Sequence, residues 1–306
     1  MNILLIDADK KMPNLALMHI SRFHKDKHDK VFLNKGNNFP DKVYISCVFA
    51  RNKPNILGIA KMFRCEVVLG GSGINLTTEL PHEIEHLCPD YSLYGLHYSL
   101  GFTSRGCIRR CPWCVVPQKE GDIKDHAPLK EFLRHRKVIL LDNNFLASPK
   151  WLENLTLLIQ HKIKVNFNQG LDIRLIDKEN ARLLAKTHYY DADFKDRRLY
   201  FAFDIPQIED QVVEGIRILN EAGIPSKHLM FYLLTGFNTT IQEDLHRIEV
   251  LKNLGVLPYA MVYNDRKALK IQQHLERWVN WRFYEVCEFK DYDHGDSQKL
   301  INAIMR

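Results

Sequence analysis

Three cysteines stand close together in the run Gly101-Phe-Thr-Ser-Arg-Gly-Cys107-Ile-Arg-Arg-Cys111-Pro-Trp-Cys114. Thiolates are the ligands that iron-sulfur clusters use, and a cuboidal cluster held by three of them keeps one iron without a protein sulfur. Such an iron can bind an outside molecule, so the C-x-x-x-C-x-x-C spacing points to chemistry as well as structure. Three other readings compete. A structural zinc site would need a fourth ligand such as His97 or Cys88, and zinc ligands usually come as two closely spaced pairs. An electron-transfer ferredoxin would supply four cysteines per cluster, and after Cys114 the next cysteine is Cys287. A redox dithiol at Cys111-Pro-Trp-Cys114 would leave Cys107 unexplained.

The motif, with Trp113 as the aromatic residue before its third cysteine, resembles the signature of the radical S-adenosylmethionine (SAM) superfamily. The resemblance implies a [4Fe-4S] cluster on Cys107, Cys111 and Cys114, with SAM chelating the open iron through its amino and carboxylate groups. It also implies an enzyme. One electron from the cluster would cleave the sulfonium, and the deoxyadenosyl radical would abstract hydrogen from a substrate. The electron would come from a reducing partner such as flavodoxin or ferredoxin, and the substrate would be a small molecule or an RNA. Trp113 would lie near the adenine of SAM, or shield the cluster from water. Arg105, Arg109 and Arg110 offset the negative charge of a thiolate-ligated cluster, or are solvated loop residues. Two other functions stay open: a non-catalytic iron-sulfur protein that has lost SAM turnover, and a cobalamin-dependent methyltransferase.

The elements that must hold these residues read as alternating strand and helix, the pattern of a parallel α/β sheet. A chain of 306 residues with 26% charged residues is long enough for two domains. Strands are expected near Asn2–Ile6, Lys30–Leu33, Val43–Val48 and Glu66–Leu69, with helices near Pro13–Phe23 and Pro54–Met62. They make a small doubly wound, Rossmann-like N-terminal domain over residues 1–95. Gly70-Gly71-Ser-Gly73 follows its fourth strand, as a plain turn or as a close approach to a ligand.

This region resembles the cobalamin-binding-like domain of the B12-type branch of the radical SAM superfamily. The resemblance is to the fold. The cobalamin pattern D-x-H-x-x-G is missing: Asp7-Ala-Asp9 occupies its place, and His19 lies downstream within an expected helix as a packing or helix-surface residue. Cobalamin is therefore expected to bind weakly or not at all. The region is also similar to the N-terminal domain of methylthiotransferases, where Cys47 matches the middle of three cluster cysteines; Asp7 and Gly71 stand at the other two positions. Cys47, Cys65 and Cys88 accordingly read as ordinary buried thiols.

Residues 96–265 read as a partial (β/α)6 radical SAM barrel with strands near Tyr98–Thr103, Val138–Leu141, Lys164–Phe167, Leu199–Phe203, Leu229–Leu234 and Tyr259–Tyr263. Parallel α/β sheets place function at the C-terminal ends of their strands. Those ends carry Asp142-Asn-Asn-Phe145, Asn168-Gln-Gly-Leu-Asp172-Ile-Arg174, Asp204 and Thr235-Gly236. By resemblance, Arg174 would pair with the SAM carboxylate, and Asp142, Asn168 and Asp204 with its ribose or ammonium. As plain structure, strand-end Asp and Asn cap the next helix. Thr240-Ile-Gln-Glu243 is a capping box, and Leu245, Ile248 and Leu251 share a helical face closed by Gly255.

A C-terminal helical extension, 266–306, mixes basic and aromatic residues. It packs on the barrel with Leu269, Leu275, Trp278 and Trp281 inward, or grips a nucleic acid. A net charge of +6 is far short of a dedicated nucleic-acid binder. Met1-Asn-Ile-Leu-Leu-Ile-Asp7 lacks the long apolar region of a signal peptide, no run is apolar enough for a bilayer, and cluster thiolates need a reducing compartment. A cytoplasmic protein without membrane contact is expected.

Overall fold

Asn2-Ile-Leu-Leu-Ile-Asp7 forms the first strand, β1, and its alternation already dictates the layers around it. Ile3 and Leu5 point to one face and meet Leu17 and Ile20 of helix α1 (Leu15–Asp26). Leu4 points to the other and meets Val43, Ile45 and Cys47 with Ile56 of helix α2 (Lys53–Ala60). Successive strand residues face opposite sides, so an apolar run means that both sides are covered. Helix α1 starts where the Asn14 side chain accepts from Leu17 N at 3.1 Å, the capping expected of asparagine. The computed structural model describes residues 1–10, 12–35, 39–264 and 269–292.

The chain divides into two units, Met1–Asn143 with Ser148–Lys150, and Asn144–Ala147 with Trp151–Arg306. In the first, β1 lies between β2 (Lys30–Leu33) and β3 (Lys42–Ser46), and β4 (Glu66–Gly70) follows β3. The order is β2-β1-β3-β4, all parallel. The order reverses between β1 and β3, where their following loops diverge and leave a crevice. A short helix α3 (His82–Glu85) leads to β5 (Ser99–Gly101), which pairs in parallel with β8 (Lys137–Leu140). Between them lie a two-residue antiparallel pair, β6 (Ser104–Arg105) with β7 (Lys124–Asp125), and the short helices α4 (Val116–Lys119) and α5 (Leu129–Phe132).

The second unit continues with α6 (Trp151–Gln160), β9 (Lys164–Phe167), α7 (Lys178–Lys186) and β10 (His188–Tyr189), with β9 and β10 parallel. Then β11 (Leu199–Ala202), α8 (Glu209–Glu221), β12 (Leu229–Thr235), α9 (Ile241–Asn253) and β13 (Leu257–Val262) form a parallel three-stranded sheet, β11-β12-β13, with its connecting helices. Both capping residues expected at the start of α9 are engaged: Glu243 N donates to Thr240 Oγ1 at 3.2 Å and Thr240 N to Glu243 Oε2 at 2.7 Å. The buried stripe of α9 is Asp244, Arg247, Ile248 and Leu251, so Asp244 takes the inward place expected of Leu245.

The last described helix, α10 (Lys270–Asn280), buries Ile271, His274, Leu275, Trp278 and Val279. Packing of this helix agrees with the apolar reading at Leu275 and Trp278. Leu269 and Trp281 are 64% and 72% exposed, against expectation, because they stand just outside the two ends of the helix and leave its period. Residues 266–268 and 293–306 of the C-terminal extension lie outside the described residues. Among the described residues no helix is long and apolar enough to cross a membrane.

His19 is a packing residue, buried on α1 with Nδ1 2.8 Å from Leu87 O. Burial lowers its pKa from 6.5 to about 4. Burial, with the charge of Arg105 adding to it, also lowers His126 to about 4, with its ring 5.0 Å from that of His86. Both depressed values mean that the unfolded chain binds more protons than the folded one between pH 6.5 and about 4. Their contribution to stability is complete above 6.5 and is lost as pH falls through that window. The urea midpoint of wild type is therefore expected to fall from pH 6.5 toward 4, and that of His19→Gln to fall less; a midpoint difference between them that ignores pH would contradict this.

Candidate functional site

The C-terminal end of β5 delivers the cysteine loop, and the β6–β7 pair ties its two ends together. Gly106 turns the chain into the loop with φ +79, and a Cβ there would stand 2.2 Å from Asp122 O. Only glycine fits this approach of two backbones. Gly106 N donates to Glu120 Oε2 at 3.0 Å and Cys107 N to Gly121 O at 3.3 Å, while Cys114 N closes a turn on Cys111 O at 3.0 Å. Gly106→Ala should lower stability by about 1–3 kcal/mol and cut iron uptake. Gly121→Ala, also left-handed at φ +73 but with open space around its Cβ, should cost less. Urea titrations of the two variants isolate the contact with Asp122, and equal losses would dismiss it.

All three cysteines are half-buried, and none is in a disulfide. Arg109 N donates to Cys107 Sγ at 3.4 Å and Val116 N to Cys114 Sγ at 3.5 Å. A backbone N–H on sulfur would stabilise the negative charge of a cluster bound to it. Among the described residues, no three His, Cys, Asp or Glu side chains gather as ligands of one metal ion. The thiolates of a four-iron cluster would each bind a different iron of the cube, so they need not converge on one point. Three thiols in one loop, two already receiving N–H groups, are a donor set that fits the cluster.

Around the loop, Arg105 is no solvated residue. Its guanidinium lies 4.1 Å from the Phe102 ring centroid, and its Nε is 3.4 Å from Glu120 Oε2. Arg110 is solvated, paired at the surface with Asp122 at 2.8 Å. Arg109 and Trp113 are half-buried. Asp142, expected at the SAM ribose or ammonium, is 2% exposed. Its Oδ1 accepts from Thr103 N at 3.2 Å, Thr103 Oγ1 at 2.6 Å, Ser104 N at 2.6 Å and Ser104 Oγ at 2.7 Å, and its Oδ2 from Thr103 N at 3.1 Å. Burial pushes its carboxyl up, against the pull of these donors. The carboxylate is thus engaged with the residues that precede the cysteine loop.

In the second unit, half-buried Asn168 follows β9. Arg174 makes a two-pronged ion pair with Asp172, Nε to Oδ1 at 2.6 Å and Nη2 to Oδ2 at 3.0 Å. Asn144 Nδ2 donates to the same Asp172 Oδ2 at 3.4 Å. The guanidinium fork is held in one orientation, with part of its charge balanced. Asp204 Oδ1 accepts from Leu234 N at 3.0 Å, and burial pushes its carboxyl up. Arg247, which sequence reasoning missed, is 0% exposed and donates to Phe203 O, to Leu234 O at 2.9 Å and to Asp244 Oδ1 at 2.5 Å. It fixes the C-terminal ends of β11 and β12 beside Asp204. The readable signal was a charged pair spaced three apart on the apolar stripe of α9.

The crevice of the N-terminal sheet is occupied by the chain itself. Asp7, 1% exposed, accepts from Asp9 N, Lys10 N and Tyr94 Oη, the last at 2.8 Å. Asp9 turns its carboxylate onto the loop after β3, accepting from Val48 N at 2.6 Å, Phe49 N at 3.4 Å and Asn52 Nδ2 at 2.8 Å. Gly71, at φ +96, would set a Cβ 2.4 Å from Cys47 O, so the glycine turn packs on backbone. Cys47 is buried, its thiol donates to Phe49 O at 3.3 Å, and burial pushes its pKa up. The loop after β1 offers no imidazole to cobalt, and these residues do not fit a histidine-ligated cobalamin.

Parallel strands alternate with helices, and a loop carrying three cysteines leaves the end of one strand. A solved structure similar to this chain is the apo, selenomethionine-labelled cobalamin-dependent S-adenosylmethionine radical enzyme OxsB, at TM-score 0.56 and 13% sequence identity. The match covers 93% of this chain and 56% of that one, so this chain spans little more than half the length of its structural relative. At that identity the likeness is one of fold. No family model matches the sequence, and no curated protein matches it.

Proposed function

We propose that the chain is a radical SAM enzyme, in which Cys107, Cys111 and Cys114 hold a [4Fe-4S] cluster with one open iron. The observation that carries this reading is the cysteine loop itself, with its spacing, its strand-end origin and its N–H groups on two sulfurs. A cluster bound there would pass one electron to the SAM sulfonium, giving methionine and a deoxyadenosyl radical that takes hydrogen from a small-molecule or RNA substrate. The electron would enter from flavodoxin, ferredoxin or a like reductant.

The chain's own residues bind and orient. Asn168, Arg174 and Asp204 are our proposed SAM contacts, with the Arg174 fork steadied by Asp172 for the SAM carboxylate. Trp113, between two ligands, shields the cluster or lies against the adenine. Residues 1–95 form the degenerate cobalamin-binding-like domain, 96–265 the partial barrel and 266–306 an extension. The self-occupied crevice at Asp7 and Asp9 speaks against cobalamin-dependent methyl transfer.

The test is anaerobic incubation of reduced, reconstituted protein with SAM, followed by chromatography. Deoxyadenosine and methionine are expected in equal amounts from wild type and neither from Cys111→Ala. Intact SAM in both would reduce the chain to a non-catalytic iron-sulfur protein. Hydroxocobalamin added to the protein and then desalted should leave it without a corrin spectrum; stoichiometric retention would restore the methyltransferase reading.

A further inference from the structure

We propose that Asp142 and Asn143, just beyond the C-terminal end of β8, are positioning residues that clamp the two ends of the cysteine loop, Asn143 through the Glu120 carboxylate. The inference rests on the reading of that loop as the cluster site. The β5–β8 ladder stops at its last bond, Leu141 N to Gly101 O at 2.9 Å. Beyond that point β5 leads into the loop and no strand pairing holds it to β8. The Asp142 carboxylate takes over there, receiving both backbone N–H groups and both hydroxyls of Thr103 and Ser104. Hydroxyl residues at these two positions double the number of donors the backbone alone could give. Every one of these donors lies within four residues of Cys107.

The neighbouring residue holds the other end. Asn143 Nδ2 donates to Glu120 Oε2 at 2.7 Å, and the same oxygen accepts from Gly106 N at 3.0 Å, with Arg105 Nε 3.4 Å away. Glu120 follows α4, six residues after Cys114, and its side chain is 7% exposed. Consecutive residues at the end of β8 thus reach both sides of the loop, Asp142 directly and Asn143 through Glu120. Both contacts use a buried carboxylate as acceptor, the kind of hydrogen bond whose loss costs most. Neither carboxylate needs to touch the cluster or SAM to set where the thiols stand.

The experiment compares Asp142→Leu, Asp142→Asn and Asn143→Ala with wild type, using hydrogen exchange of the reduced apoprotein and electron paramagnetic resonance of the reconstituted protein. Asp142→Asn can keep a carbonyl oxygen toward Thr103 and Ser104, whereas Asp142→Leu cannot. Exchange at 103–121 should rise at least about tenfold in Asp142→Leu and in Asn143→Ala, the factor for losing one charge-assisted hydrogen bond. In Asp142→Asn it should stay near wild type, and protection of β1 and β3 should be the same in all four proteins. The reduced cluster should show broadened or shifted resonance lines in Asp142→Leu and Asn143→Ala, restored in Asp142→Asn. Should Asp142→Leu fail to fold, Asn143→Ala still decides, since it removes one half-buried contact. Unchanged loop exchange with unchanged lines would overturn the clamp. Faster loop exchange in a wild-type-like fold that binds no cluster would keep the clamp and sink the cluster reading instead.

Discussion

Replacing any one of Cys107, Cys111 or Cys114 by alanine is expected to lower the iron content of anaerobically reconstituted protein by about tenfold, since a cuboidal cluster held by two thiolates has two irons open to solvent and reductant. Cys65→Ala and Cys88→Ala should leave it unchanged. Both residues sit outside the loop, and burial pushes the Cys88 thiol up, which favours the inert protonated form. Iron and sulfide analysis reads this directly. Full iron in Cys111→Ala would remove that residue from the ligand set and with it the spacing argument.

The largest effect on stability is expected at Arg247, which lies on α9 and outside the cysteine loop. Arg247→Leu leaves Asp244 buried beside no cation and takes the donors from Phe203 O and Leu234 O. Breaking a buried pair from one side costs about 3–5 kcal/mol, far more than the pair is worth in net terms. The double variant Arg247→Leu/Asp244→Leu should therefore recover part of the loss, because no isolated carboxylate remains. Urea titration of the three proteins measures it. A double variant less stable than Arg247→Leu alone would mean that Asp244 stabilises the fold without its arginine, and the pair would need another explanation.

Local pattern was legible and distant pairing was not. The strands at Lys30–Leu33 and Lys164–Phe167 have the bounds their apolar runs announce, and Thr240 with Glu243 caps α9 as their spacing requires. The β6–β7 pair and β10 are two residues per strand, too short for any period to register. At the candidate site, the cysteine spacing was readable because the three residues are close in sequence. The partners of Asp142 lie 38 and 39 residues away, so its hydrogen bonds to Thr103 and Ser104 could not be read from local sequence. Arg174 was readable as a cation at a strand end; its orientation by Asp172, two residues before it, needed the turn that brings both together. The charged pair inside α9 contradicts the rule that stripes are apolar, and its reason, two strand-end carbonyls to be satisfied, exists only in the fold.

The open iron is the centre of the account, and electron paramagnetic resonance of the reduced, reconstituted protein with and without SAM addresses it most directly. One four-iron cluster per chain should give a signal whose line shape changes when SAM is added, because SAM bound at an iron without a protein sulfur would alter that iron's surroundings. Superimposable spectra at saturating SAM, from protein with full iron content, would contradict the proposal.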